Sequence, residues 1–190
     1  MLRIISGEWR GRKLKAPPGD TTRPTADRTR ETLFSMLTSR LGSFEELAVL
    51  DLFAGSGALG LEALSRGAQR CVFVEQDRPA IDVLKANIRL LEADARCEVR
   101  PSSALSLGPA IKPFDLILLD PPYGTGAGAV ALDKLNRLGW FAPSSWISLE
   151  TSAKETLDIA GFEIDTERVV GKAKLTLLRP APAAPIDLQS

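Results

Sequence analysis

The feature of this sequence that most constrains its fold is an alternation of apolar runs and helical patterns between residues 48 and 150. Residues 48–53 form an almost continuously apolar run, typical of a strand buried on both faces, and a glycine-rich turn and a helical pattern over residues 58–66 follow. The alternation continues with strands at residues 70–75, 97–100, 114–119 and 146–150 and helices at residues 77–91 and 127–138. It predicts an α/β fold with a mainly parallel sheet, because right-handed crossovers place helices on both faces.

The segments on either side of this alternation predict an extension at each end. Apolar residues at 2–5 and at Leu14 flank a turn-rich basic stretch, which indicates a basic hairpin or arm. Thr25 is typical of the N-cap of a helix that continues to about Arg40. Near the other end, residues 162–170 and 174–179 alternate in polarity like an antiparallel edge hairpin. The chain therefore divides into a basic arm with a helix (1–44), an α/β domain (45–179) and a flexible tail (180–190).

The composition excludes several kinds of chemistry. None of the 190 residues is histidine, so imidazole is not available as a base, an acid or a metal ligand. Cys71 and Cys97 are far apart and lack metal-ligand spacing, so we expect neither a zinc site nor a disulfide framework. No stretch approaches the roughly 18 apolar residues of a membrane span. We therefore expect a cytoplasmic protein with no metal and no membrane partner.

The net charge of zero conceals a basic first segment. Residues 1–30 carry eight basic and three acidic side chains, a net charge of +5, so the rest of the chain carries −5. A basic segment on a mildly acidic body indicates contact with a polyanion, although a solvated arm is the alternative. The candidate contacts are Arg10, Arg12, Lys13, Arg23 and Arg28.

A glycine-rich turn follows the first predicted strand of the sheet. Gly55, Gly57 and Gly60 form the pattern Gly-x-Gly-x-x-Gly between a strand and a helix, where glycine permits a tight turn and close approach of a ligand. Glu75 ends the second predicted strand, where a carboxylate can accept hydrogen bonds from ribose hydroxyls. The combination predicts a site for a nucleotide-type cofactor. The alternative is a glycine turn used only for packing.

Asp51, at the end of the first strand, favours S-adenosylmethionine over a dinucleotide such as NAD. A pyrophosphate would lie at the helix N-terminus, where a nearby carboxylate is unfavourable. The same carboxylate suits the cationic amino-acid end of S-adenosylmethionine. Hydrogen bonding of Asp51 to loop amides is an alternative, and both roles are compatible.

A second motif, Asp120-Pro121-Pro122-Tyr123, follows the fourth predicted strand. The two prolines remove backbone donors and stiffen the turn, which leaves the Asp120 carboxylate and the Pro121 carbonyl as acceptors for an amino group. Tyr123 can stack on the face of a base. The alternative is a Pro-Pro turn capped by Asp120, with Tyr123 at the surface.

These motifs together resemble those of class I S-adenosylmethionine-dependent methyltransferases that methylate amino groups. Residues 3–14 and 23–34 closely resemble the bacterial 16S ribosomal RNA guanine-N2 methyltransferase family, and the resemblance covers residues 1–179. It implies a Rossmann-like fold with a seven-stranded, mainly parallel sheet. It also implies a monomer that methylates the exocyclic N2 amine of one guanine in 16S ribosomal RNA already carrying small-subunit ribosomal proteins.

The resemblance assigns roles to individual residues. Asp120 and Pro121 would hold the guanine amine, with Tyr123 beside the base. Related enzymes often have an acid after the third strand for the adenine amine, whereas this chain has Ser102 and Ser103 there, so Ser103 or the backbone would make that contact. The expected cofactor contacts are Asp51, Phe53, Gly55, Gly57, Glu75 and Ser103.

Three other functions remain open at this stage. The Asp-Pro-Pro-Tyr motif also fits a methyltransferase of DNA adenine or of protein glutamine, although a DNA enzyme usually needs additional mass to read a groove. In an NAD-dependent oxidoreductase the motif would be accidental, and a test of cofactor retention separates that case. A non-catalytic RNA-binding module would need none of the site residues, and an activity assay separates it.

Overall fold

The computed structural model describes residues 1–18 and 24–182 of the chain. Its helices and strands are, in chain order, α1 (Pro24–Leu41), β1 (Ala48–Leu52), α2 (Ala58–Ser65), β2 (Arg70–Glu75), α3 (Arg78–Leu90), β3 (Cys97–Pro101), β4 (Phe114–Leu119), α4 (Ala127–Arg137), β5 (Phe141–Ser152), β6 (Phe162–Val170) and β7 (Ala173–Pro180). The predicted α/β alternation is confirmed. Arg23 and residues 183–190, which form most of the predicted tail, lie outside the described residues.

The strands form one sheet of seven in the order β3-β2-β1-β4-β5-β7-β6. Strands β1 to β5 are parallel to one another, whereas β7 is antiparallel to both β5 and β6. The strand order reverses between β1 and β4, and ligands of open α/β sheets bind beyond the carboxyl ends of the strands at such a point. The predicted Rossmann-like sheet with an antiparallel edge hairpin is confirmed.

Apolar residues pack against both faces of the sheet. On one face, Phe34 of α1, Leu61 of α2 and Leu84 of α3 belong to one buried cluster. On the other face, Leu132 and Leu135 of α4 belong to a second buried cluster. The strands between these clusters bury side chains on both faces, which explains why their sequences are almost continuously apolar.

The basic segment before α1 forms a hairpin that packs on the sheet domain. Residues 2–14, called here the basic hairpin, are closed by hydrogen bonds from Ile4 N to Arg12 O and from Leu14 N to Leu2 O, both 2.9 Å. The apolar side chains of the hairpin, Leu2, Ile4, Trp9 and Leu14, are buried. Its apolar residues therefore extend the core, while Arg10 and Lys13 stay exposed.

Buried polar side chains of α2 and α3 hold the basic hairpin in place. The carboxylate of Glu62, which is fully buried, accepts hydrogen bonds from Ile5 N at 2.8 Å and Ser6 N at 3.0 Å. The amide of Asn87 accepts from Lys15 N at 2.8 Å and donates to Lys15 O at 3.0 Å. The hairpin is thus fixed at Ile5 and Ser6, and the chain directly after it at Lys15, to helices that belong to the sheet domain.

Three details differ from the sequence patterns. Helix α1 begins at Pro24 rather than after a cap at Thr25, in keeping with the tolerance of proline in a first helical turn. Strand β5 begins at Phe141, where the sequence shows no alternation, because pairing with β4 extends it. Arg30 of α1, whose charge alone would favour an exposed helix position, is only 5% exposed and donates to the carbonyl of Arg3.

Candidate active site

The glycine-rich loop between β1 and α2 has a backbone that few residue types can adopt. Phe53, Gly55 and Gly57 all have positive φ, of 59°, 54° and 82°. A Cβ atom at Gly57 would lie 2.3 Å from Cδ1 of Leu84, so any other residue there would force Leu84 to move and would adopt a φ that L residues rarely take. A bulky residue such as Phe53 at positive φ costs about 1–3 kcal/mol and marks a site where the surroundings impose the geometry.

The Glu75 carboxylate at the end of β2 holds this loop. Its Oε2 accepts a hydrogen bond from Gly55 N at 2.8 Å, and its Oε1 accepts from Gln76 N at 2.8 Å and Asp77 N at 2.9 Å. Within the described part of the chain, these amides occupy three of the roughly four acceptor positions of a carboxylate. Glu75 therefore shapes the glycine loop itself, a role that the sequence did not show.

Asp51 lies beneath the loop, with only 1% of its surface exposed. Its Oδ2 accepts a hydrogen bond from Gly60 N, at 2.9 Å, in the first turn of α2. Burial raises the pKa of this carboxyl well above its usual value, and the charges of Asp120 and Glu75 raise the pKa further. The loop-amide role that the sequence left open is therefore present. Because β1 lies between β2 and β4, the three acids Asp51, Glu75 and Asp120 belong to the ends of neighbouring strands.

The Asp120–Tyr123 motif lies next to the glycine loop because β1 and β4 are neighbours. Leu52 pairs with Leu119, so the two loops leave the sheet side by side. Asp120 is exposed and Pro121 is buried. The two motifs, 65 residues apart when counted from Gly55 to Asp120, thus meet at the reversal of the strand order.

Tyr123 is 46% exposed, and its hydroxyl donates a 2.5 Å hydrogen bond to Oε1 of Glu150 on β5. Burial of the phenol, together with the neighbouring Glu150 carboxylate, raises the pKa of Tyr123. Burial likewise raises the pKa of Glu150. The phenol therefore stays protonated at neutral pH and keeps donating to Glu150, while its ring remains accessible to solvent.

Ser103 follows β3, close to the end of β2. Ser102 N donates to the Glu75 carbonyl at 3.0 Å, which places this turn beside Glu75. The Ser103 hydroxyl accepts from Leu105 N at 3.1 Å, and so caps a short 3-10 turn over Ala104–Ser106. The predicted cofactor residues after β1, β2 and β3 therefore share one edge of the sheet.

The candidate polyanion contacts divide into two groups. On the basic hairpin, Arg10 and Lys13 are exposed, whereas Arg12 donates to the carbonyl of Leu90 at 2.6 Å and so also tethers the hairpin. Arg28 is exposed on α1 and lines a groove of about 480 Å³ between α1 and β6, together with Arg40 and Arg168. The rest of the lining consists of one acid, one apolar side chain and four hydroxyl side chains, namely Glu31, Met36, Thr32, Ser35, Ser39 and Thr166.

Sequence reasoning missed two groups of polar residues at the site. Asn87, which is fully buried, donates to Ser56 O at 2.9 Å and so links the glycine loop to the end of the basic hairpin. A single polar residue on the apolar face of α3 was the available signal. Glu150 and Glu155 on and after β5 contact the Tyr123 loop, and no motif in the sequence marks them.

The residues described contain no group of three or more Cys, Asp or Glu side chains able to hold a metal ion. No helix in the described ranges is long and apolar enough to cross a membrane.

The sheet order, the glycine loop and the Asp120–Tyr123 motif define the chain as a Rossmann-like methyltransferase. A solved structure of magnesium protoporphyrin IX methyltransferase (ChlM) from Synechocystis PCC 6803, with bound SAM, shares this fold with a TM-score of 0.65, at 12% identity over 86% of this chain and 87% of that one. The family model described as Conserved hypothetical protein 95 matches residues 2–179.

Relatives within that family are considerably more similar. Ribosomal RNA small subunit methyltransferase D of Escherichia coli (strain K12) is 36% identical over 178 residues, which cover 93% of this chain and 88% of the relative. The protein of the same description from Haemophilus influenzae is 39% identical over 160 residues, 82% and 81% of the two chains. The solved structure of yhhF from Escherichia coli has a TM-score of 0.83 and 37% identity, over 94% of this chain and 97% of that one. The chain belongs to the ribosomal RNA small subunit methyltransferase D family, and the resemblance read from the sequence is confirmed.

Proposed function

We propose that this protein transfers a methyl group from S-adenosylmethionine to the exocyclic N2 amine of a guanine in 16S ribosomal RNA. The observation that carries the proposal is the meeting of the glycine loop, Glu75 and the Asp120–Tyr123 motif at neighbouring strand ends. The relatives named ribosomal RNA small subunit methyltransferase D support the RNA substrate.

The residues present fit S-adenosylmethionine. A Cβ atom built at Gly55 would meet nothing within 4 Å, so the loop borders open space at this point. Asp51, Glu75 and Asp120 interact electrostatically around that region, which suits a ligand with two cationic centres. Glu75 and Ser103 would hold the nucleoside part, and Gly55 and Gly57 the methionine end. When bound, the cofactor supplies an electrophilic sulfonium methyl group.

Two acceptors of this chain orient the attacking amine. The Asp120 carboxylate and the Pro121 carbonyl each accept one N–H of the guanine N2 group, which directs the nitrogen lone pair away from the ring. Tyr123 stacks on the base after it has left its own stack, an interaction worth about 1–3 kcal/mol. After methylation the nitrogen is acidic, and its proton passes to Asp120 or to water. No histidine is needed, because orientation supplies most of the acceleration.

The basic hairpin and the α1–β6 groove supply the RNA contacts in this proposal. Arg10 and Lys13 on the hairpin and Arg28 in the groove are exposed cations that can neutralise phosphates. Arg12 would contribute both to RNA binding and to the position of the hairpin. The 16S RNA with small-subunit proteins bound is the expected substrate, and the protein acts as a monomer.

The test is a methyl-transfer assay with labelled S-adenosylmethionine. The substrates are naked 16S RNA, 16S RNA with bound small-subunit proteins, duplex DNA and a protein extract, each followed by digestion to locate the label. We expect label on guanine N2 of the protein-bound RNA. Label only on DNA or on protein would contradict the ribosomal substrate. If the protein neither transferred label nor bound S-adenosylmethionine, the proposal that it is a methyltransferase would be wrong.

Asp120→Ala tests the assigned chemistry within the same assay. We expect its rate to fall by about 10²–10³-fold, as for the loss of one preorganised polar contact. Asp133→Ala is the matched control, since Asp133 is exposed on α4 and pairs only with Arg137 among the described residues. Near-normal turnover of Asp120→Ala would refute the role of Asp120.

A further inference from the structure

Tyr123 belongs to a loop that has little to hold it except the end of β5. Gly124 and Gly126 follow it with φ values of 71° and 68°, and a Cβ atom at either position would meet nothing within 4 Å. None of the aromatic ring pairs among the described residues includes Tyr123. Packing against other rings therefore does not fix the orientation of this ring.

Two carboxylates at the end of β5 contact successive residues of this loop. Glu150 Oε1 accepts the Tyr123 hydroxyl at 2.5 Å. Glu155 Oε1 accepts Gly124 N at 3.3 Å, while its Oε2 accepts Ser152 N at 2.7 Å. The Tyr123 side chain and the adjacent backbone are thus tied to the same stretch of chain.

The acceptor for Tyr123 is itself rigidly placed. Strand β5 lies inside the sheet between β4 and β7, and Glu150 is paired with Leu175 in the antiparallel register of β5 and β7. Leu149, its neighbour, is completely buried. A hydrogen bond to a side chain on an interior strand fixes a loop residue more firmly than a bond within the loop.

The hydrogen bond to Glu150 involves only the hydroxyl of Tyr123 and leaves part of the residue exposed. The hydroxyl points to Glu150, and 46% of the residue remains exposed. Next to the ring, Pro121, Leu149 and Leu157 help to line a cavity of about 200 Å³. A flat ring that is anchored at its polar end, in a residue that is about half exposed, suits stacking on a nucleobase.

We propose that Glu150 is a positioning residue of the methyltransferase site, which fixes the ring of Tyr123 through its hydroxyl at the orientation that stacks on the target base. Glu150 touches neither the cofactor nor the reacting amine in this scheme. The inference rests on the proposed function for the identity of the stacked base, whereas the contact itself is independent of it.

The first experiment uses the fact that Tyr123 is the single tyrosine of the chain. Full-length protein labelled with 3-fluorotyrosine gives one ¹⁹F signal, and its chemical shift reports the surroundings of the Tyr123 ring. We expect Glu150→Ala to shift the signal, and Glu150→Gln, which retains an acceptor oxygen, to shift it less. An unchanged signal in Glu150→Ala would overturn the proposal whether or not the protein methylates RNA.

The second experiment is a double-mutant cycle in the methyl-transfer assay on protein-bound 16S RNA. We expect Tyr123→Phe and Glu150→Ala each to lower kcat/KM for RNA roughly tenfold, and the double variant to be no worse than either, because both remove the same bond. Glu150→Gln should stay within about threefold of the wild type. The Kd for S-adenosylmethionine and the Tm should match those of the control Asp133→Ala.

Three outcomes would contradict the role of Glu150. The effects of the two single variants could multiply in the double variant, the Gln variant could lose as much activity as the Ala variant, or the affinity for S-adenosylmethionine could fall in parallel. Absence of RNA methylation by the wild-type protein would instead refute the proposed function, and the ¹⁹F result would still decide whether Glu150 positions Tyr123.

Discussion

Glu62 offers the clearest prediction of how a single side chain joins the basic hairpin to the sheet domain. Its carboxylate has no exposed surface and accepts three hydrogen bonds, from Ile5 N, Ser6 N and Nε of Arg66 at 2.9 Å. In Glu62→Ala the two backbone amides lose their acceptor, and Arg66, with 17% of its side chain exposed, loses its partner. Each lost bond to a charged group is worth about 1.5–3 kcal/mol before the chain relaxes.

The three contributions are not additive, because the variant also avoids the cost of burying a carboxylate. Removal of one partner from a buried, hydrogen-bonded ion pair costs about 3–5 kcal/mol, and we expect Glu62→Ala to lower the free energy of unfolding by this amount. For a domain of this size that corresponds to a fall in Tm of roughly 6–20 °C. Urea and thermal unfolding of the purified full-length protein measure both quantities.

Two variants make this test specific. Glu45→Ala removes an exposed carboxylate just after α1 and should stay within about 0.5 kcal/mol of the wild type. Glu62→Gln keeps one acceptor oxygen but turns an NH₂ group towards a donor, so its loss should lie between the two. A loss below about 1 kcal/mol in Glu62→Ala would refute the conclusion that this carboxylate docks the hairpin.

Three further predictions follow from other positions. Gly57→Ala should lower the free energy of unfolding by about 1–3 kcal/mol, because the new methyl group would overlap Leu84 and Ala would have to adopt a positive φ. The same variant should bind S-adenosylmethionine more weakly in calorimetry. An unchanged Kd would argue against the steric reasoning. Asp51→Asn should raise the free energy of unfolding above neutral pH. The native pKa of Asp51 is raised, so the wild type loses stability as pH rises through that pKa. In urea unfolding, the stability gained by Asp51→Asn should therefore vanish towards pH 4. A gain in stability that is independent of pH would refute the raised pKa of Asp51. Neutralising Arg10 and Lys13 together should weaken RNA binding and flatten its dependence on salt, and identical binding across a salt series would exclude the hairpin as an RNA contact.

The sequence was sufficient to predict the elements that bear the site. The glycine loop, Glu75 and Asp120 each follow a predicted strand, and because parallel strands end at one edge, their meeting follows from local patterns. Local patterns also predict the buried face of α1. The helical spacing of Leu33, Phe34 and Leu37 places them on one face, and all three side chains are buried.

What could not be predicted depends on contacts between residues far apart in the chain. Glu62 and Asn87 look like ordinary helix residues until the basic hairpin is placed against them. Glu150 of β5 gives no signal because its partner, Tyr123, lies 27 residues away on the loop after β4. Arg30 is buried, and its guanidinium donates to the Arg3 carbonyl and to the Asp27 carboxylate. Patterns in a single sequence indicate local conformation, whereas the roles of these residues depend on contacts that form only in the tertiary structure.

The basic hairpin is synthesised first but can dock only after much of the sheet domain has been synthesised. Its hydrogen-bond partners beyond α1 lie between 56 and 88 residues further along, from Ser65 for Trp9 to Arg96 for Glu8. A ribosome must therefore complete the chain past residue 96 before the hairpin can close on its site. Until then the nascent protein carries Trp9 and the other apolar side chains of the hairpin, Leu2, Ile4 and Leu14, without the helices that bury them.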